Sequence, residues 1–138
     1  MNDILIIGLL LLVVIAGTII LLLLKPKPHS WRSIILKKLE EIDVLVQTTH
    51  ENDLRTALIK IDALLDSVLQ QKRIPGESLG ERLKNARQHF DHSTYNAVWE
   101  AHKLRNKIVH EVDFRPPIAF IKQHYIELRL GIKQLMKA

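Results

Sequence analysis

Seven residues between positions 95 and 110 fall on one side of a helix. At about 100° per residue, Tyr95, Trp99, His102, Arg105, Asn106, Val109 and His110 share an arc separate from the aliphatic Ala97, Ala101, Leu104, Ile108 and Val112. A merely solvated face would carry Lys and Glu. Two aromatics, two histidines, an arginine and an asparagine instead offer large contact area with directional hydrogen bonds, the chemistry of recognition. Two readings of this face stay open: a partner interface, with Tyr95, Trp99, His102 and Val109 at its centre, or a second buried seam whose polar groups are satisfied inside the fold. In the seam reading Arg105 packs on a carboxylate, Asp62 or Asp66, two aspartates that are four apart and repel each other unless a cation answers them.

Other chemistries are poorly supplied. The 138-residue chain has no Cys, which removes disulfides, thiolate metal sites and cysteine nucleophiles together. Among the seven His, His89-x-x-His92 straddles a predicted helix end, and no Glu is followed three residues later by His, so no metal site and no cofactor are expected. Gly76 and Gly80 lack the strand before and the Gly-Lys-Ser/Thr after that a phosphate loop needs, and no nucleophile elbow accompanies any Ser.

The elements that must position the arc are helices, because no segment alternates with period two. Apolar positions Ile34, Ile35, Leu39, Ile42, Leu45 and Val46 predict an amphipathic helix over 31–47. Thr48, three before Glu51, opens a second helix that runs to Gln71. Ile74-Pro75-Gly76 breaks it, and the capping box Ser78-Leu79-Gly80-Glu81 starts a shorter helix reaching about Phe90. A fourth helix spans Ser93 to Val112. A fifth follows Pro116-Pro117 with Ile118, Ile121, Tyr125, Leu128, Ile132 and Leu135 on one stripe. The expected fold is all-α: a bundle of four to five helices over 31–138, its two longest helices antiparallel neighbours.

Ahead of this bundle, Ile4 to Leu24 runs 21 residues without a charge, long enough at 1.5 Å per residue for a single transmembrane helix, so residues 1–24 are expected to be an anchor. Residues 25–30 form a basic, proline-containing linker. Lys25, Lys27, Arg32, Lys37 and Lys38 follow the run and only Asp3 precedes it, which predicts an external N-terminus and a cytoplasmic bundle at the cell membrane. Those five cations hold nearly all the net charge of +5: from residue 39 onward there are 15 Lys and Arg against 14 Asp and Glu. The basic balance is therefore no sign of a nucleic-acid surface.

Leu104-Arg105-Asn106-Lys107-Ile108-Val109-His110-Glu111, late in a helix of an all-α bundle, resembles the signature of the HEPN superfamily (higher eukaryotes and prokaryotes nucleotide-binding), with Arg105, Asn106 and His110 on the matching positions. The resemblance implies a homodimer whose motif helices face each other across a cleft and, in catalytic members, metal-independent RNA cleavage through the ribose 2′-hydroxyl. His110 would then serve as general base or acid, Arg105 would hold the phosphate and Asn106 would orient either group. Residues five apart on a helix diverge by about 140°, which favours a composite site between two chains. The expectation is a membrane-tethered, dimerising interaction or regulatory module using the Tyr95–His110 face. The alternative is a metal-independent endoribonuclease centred on Arg105 and His110, with RNA as its partner.

Overall fold

Apolar residues recurring three and four apart build helices throughout the computed structural model, which describes residues 2–23 and 30–137, with side chains for 5–20 and 30–137. Six α-helices and no strand make up the described residues: α1 (Asn2–Leu23), α2 (Trp31–Val46), α3 (Glu51–Gln71), α4 (Leu79–Asn85), α5 (His92–His110) and α6 (Ile118–Lys137). A single 3₁₀ turn, Arg87–His89, follows α4 and takes the place of the helical extension expected to Phe90.

The membrane anchor requires correction. Among the described residues no helix is long and apolar enough to cross a membrane. The single-pass assignment therefore falls, and with it the external N-terminus and the cell-membrane localisation with a cytoplasmic domain. Lys25, Lys27 and nearly all of the 25–30 linker also lie outside the described residues. Arg32, Lys37 and Lys38 sit on α2, where the Arg32 guanidinium stacks 5.2 Å from the Trp31 ring centroid.

Helices α2 to α6 share one core. Leu58, Ile61, Leu65 and Leu69 of α3 are fully buried among Leu39 of α2, Val98 and Ala101 of α5, and Leu128 and Ile132 of α6. The start of α3 meets the end of α5 through Arg55 and the Ile108 carbonyl, and their middles meet through Asp62 and His102. The start of α5 meets the end of α6 through Asp91 and Gln134. Both α3 and α6 thus run against α5 and so run in the same sense as each other. They are neighbours, as expected, but not antiparallel, because α5 carries the chain back between them.

Helix boundaries shifted where local chemistry competed. Ser78 accepts from Glu81 N at 3.2 Å as predicted, yet the Glu81 carboxylate reaches back to Glu77 N rather than to Ser78 N. Thr48 does not cap α3. Its hydroxyl accepts from His50 N, and His50 stands at the cap without a side-chain bond. Helix α5 is capped by Asp91, which accepts from Thr94 N and from the Ser93 and Thr94 hydroxyls. It ends at His110, so Val112 lies in the following turn, 85% exposed instead of in the core. The buried stripe of α5 is Val98, Ala101, Leu104 and Ile108, with Ala97 at its edge.

Two features of this packing give direct tests. At Gly131 of α6 a Cβ would come within 2.6 Å of Val98 Cγ2 on α5, a side chain with no exposure. Gly131→Ala should therefore destabilise the bundle by about 1–3 kcal/mol despite alanine's better helix propensity. Adding Val98→Ala should recover part of that loss, so a double-mutant cycle by urea unfolding should show a favourable coupling. Asp43 of α2 clamps α6: it accepts from Arg129 Nε and Nη2 at 2.8 and 2.7 Å and from the Tyr125 hydroxyl. The Arg129 bond holds the Asp43 carboxyl below its ordinary value of 3.8, against burial, which pushes it up. A carboxyl lowered by folding stabilises above its unfolded value, and that share is lost as pH falls through the folded one. Unfolding free energy should drop between about pH 5 and pH 3 in the native chain and less steeply in Asp43→Asn.

Candidate functional site

A carboxylate on an apolar stripe needs partners, and Asp62 sits on the α3 stripe between Leu58 and Leu65 with 2% exposure. Helix α5 supplies them. His102, Arg105 and Asn106 are spaced at i, i+3 and i+4, so all three project from one face of α5 toward α3. His102 Nδ1 lies 3.0 Å from Asp62 Oδ1. Asn106 Nδ2 lies 3.2 Å from His102 Nε2, and Arg105 Nη1 donates to Asn106 Oδ1 at 2.9 Å. Arg105 Nε, buried, stands 3.3 Å from Asp62 Oδ2 in an ion pair but makes no hydrogen bond, because its N–H axis misses the oxygen. Four side chains thus close a ring: Asp62, His102, Asn106, Arg105.

The second aspartate has its own cation. Asp66 accepts from Arg82 Nε at 2.7 Å and Nη2 at 2.9 Å, while Arg82 also donates to the Gly76 carbonyl. That pairing with Asp66 holds the Arg82 guanidinium above its already high ordinary range. A cavity of about 510 Å³ opens over both pairs, walled by Asp62 and Asp66 of α3, Ser78 and Gly80 at the start of α4, and Arg105 and Asn106 of α5. Of the two carboxylates on its wall, Asp62 is paired with Arg105, which also lines it, and Asp66 with Arg82.

Along the outer side of α5 an aromatic row leads into this cavity. Phe90, Tyr95, Trp99 and His102 follow one another at centroid separations of 6.2, 6.4 and 6.0 Å, and Arg87 stacks on Tyr95 at 4.5 Å. The Trp99 ring edge comes within 3.7 Å of where a Cβ on Gly80 would stand, so α4 approaches the row closely. Tyr95, Trp99, His102, Arg105 and Asn106 are all half-buried, between the open face and the sealed seam, and Val109 is 45% exposed.

Of the residues singled out for catalysis, the structure brings together Arg105 and Asn106. The histidine beside them is His102, which the sequence grouped with the interface. His110 is the last residue of α5, exposed, and its side chain makes no hydrogen bond or ion pair among the described residues. Asp62 answers Arg105, one of the two carboxylates expected to do so, and Asp66 goes to Arg82 instead. Sequence reasoning missed Ser78 and Gly80 as cavity walls and Arg82 as the partner of Asp66. It also missed Arg55, which donates to the carbonyls of Ile108 and Phe114 and so fixes the end of α5.

The chain matches no family model, and neither a curated protein nor a solved structure is significantly similar to it. The expected membership of the HEPN superfamily is corrected accordingly. In physical terms, the motif's Arg and Asn are engaged within one chain by Asp62 and His102, and the matching His110 is not part of that set.

Proposed function

We propose that α2–α6 form an interaction module that self-associates through the outer side of α5 and regulates or recruits a partner there. The half-buried aromatic row from Tyr95 to His102, continued by exposed Val109, carries this reading. Tyr, Trp and Arg held half-open by the fold give large contact area at little ordering cost, the composition of interface centres rather than of solvated faces. Engagement of Arg105 by Asp62 supports it further, since a guanidinium committed inside the fold is less available to a phosphate chain.

The test uses the absence of cysteine: Val109→Cys introduces the only thiol in the chain. The reading expects air oxidation to give a disulfide-linked dimer from Val109→Cys and far less from Val44→Cys, a 65% exposed site on α2. Equal cross-linking at both sites would contradict it. The second reading is a metal-independent endoribonuclease in which Arg105 of one chain meets His110 of another; the exposed position of His110 at the end of α5 favours it. RNA cleavage that survives chelator and vanishes in His110→Ala would select that reading.

A further inference from the structure

The polarity of every link in the Asp62–His102–Asn106–Arg105 ring is fixed by its two ends. Arg105 can only donate, so the Asn106 atom 2.9 Å from its Nη1 is the oxygen. The other Asn106 atom, 3.2 Å from His102 Nε2, is then the amide nitrogen, which also donates. His102 Nε2 must accept and therefore carries no proton. Nδ1 faces the carboxylate of Asp62, which accepts, so the imidazole proton sits there. One proton arrangement alone satisfies the closed ring: neutral His102 protonated on Nδ1.

A second proton on His102 would enter at Nε2 and meet an amide N–H₂. The Asn106 amide must then turn to offer its oxygen, which swings its nitrogen toward Arg105 Nη1 and sets donor against donor. Arg105 has no other side-chain hydrogen bond among the described residues, and its Nε is ion-paired off axis. It is also 27% exposed and borders the 510 Å³ cavity, so it has somewhere to go. The charged groups around His102 permit the change: Asp62 and Asp66 come from α3, Arg82 from α4 holds Asp66, and Arg105 lies on α5 itself. Asp62 trades one cation for another, Arg105 for the imidazolium.

We propose that the ring is a proton-coupled latch: uptake of a proton by His102 turns Asn106 and releases the Arg105 guanidinium from Asp62 into the α3–α4–α5 cavity. The latch belongs to one chain and stands independently of self-association through α5. Imidazole is the side chain suited to such a role between about pH 5 and pH 8.

The experiment is nitrogen-15 NMR of the full chain across that range, following the His102 ring nitrogens and the Arg105 Nε–H. At the alkaline end His102 should show the Nδ1–H tautomer. As pH falls, the Arg105 signal should shift with the same midpoint as His102. In Asn106→Asp the carboxylate accepts from Arg105 Nη1 whichever protons His102 carries, so the Arg105 signal should lose its pH dependence. An Nε2–H tautomer at the alkaline end would overturn the proposal, as would an Arg105 signal that stays flat while His102 titrates. Both of those readings come from the native chain, so the proposal stays exposed even if Asn106→Asp fails to fold.

Discussion

Asp62→Ala is expected to destabilise the bundle by about 3 kcal/mol, measured as the urea midpoint at unchanged slope. The carboxylate is 2% exposed and answers two groups at once, His102 Nδ1 and the Arg105 guanidinium. Its removal leaves the guanidinium without its counter-charge and the His102 Nδ1–H without its acceptor beneath the α3–α5 packing. The lower part of the range for broken buried pairs applies because Arg105, 27% exposed, can still draw water from the cavity. Replacing the set together, Asp62→Leu with His102→Leu and Arg105→Met, should recover most of the loss, since an apolar triad has no unanswered charge to bury. A cost below about 1 kcal/mol for Asp62→Ala would mean that the ring contributes little to holding α5 on α3.

The second large effect is expected at Arg55, where the guanidinium serves the end of α5 as an external cap. It donates to the Ile108 carbonyl at 3.1 Å, to the Phe114 carbonyl at 3.0 Å and to Glu51 at 3.2 Å, with only 17% of the side chain exposed. Ile108 lies in the last turn of α5, where carbonyls have no helical partner. Arg55→Met keeps the stem and removes the donors, and should cost about 3 kcal/mol, one charge-assisted bond to each of the two carbonyls. Amides from 109 to 115 should exchange faster with solvent, because the loop and the last turn lose their tether together. Arg55→Lys should recover only part of this, since one ammonium cannot span two carbonyls and Glu51 as the guanidinium fork does. Val109 and His110 ride on that turn, so weakened self-association should accompany the loss of stability.

Much of the all-α architecture was legible in the period of the apolar residues, and the five helices of the bundle stand close to where that period put them. Errors gathered where something other than period decides. Val112 continued the stripe on paper, but the Lys107 carbonyl bonds Glu111 N at the α5 terminus and the chain turns away before Val112. Thr48 had the spacing of a cap, yet His50 N used its hydroxyl first. The relative direction of α3 and α6 depends on how many helices intervene and which of them pack, which no local pattern records. Apolarity of the first residues was legible too, but a span of the hydrocarbon core is not carried by the described part of α1.

The site was half legible. A charge at position 62 of an otherwise apolar stripe called for a cation, and Arg105 was a candidate for it. His110 was placed with Arg105 on the resemblance and His102 with the interface, although three residues bring His102 alongside Arg105 and five turn His110 away. The cavity walls from Ser78 and Gly80 come from a short helix whose docking against Trp99 is a tertiary fact.

Sedimentation velocity of the full chain over a rising concentration series, beside Val109→Arg, tests the interaction module most directly. The account predicts a shift toward the mass of two chains in the native protein and its loss in Val109→Arg, where a charge replaces an exposed apolar contact at the end of α5. A native chain that stays at the mass of one throughout the series, or a Val109→Arg chain that associates as the native does, would contradict self-association through α5.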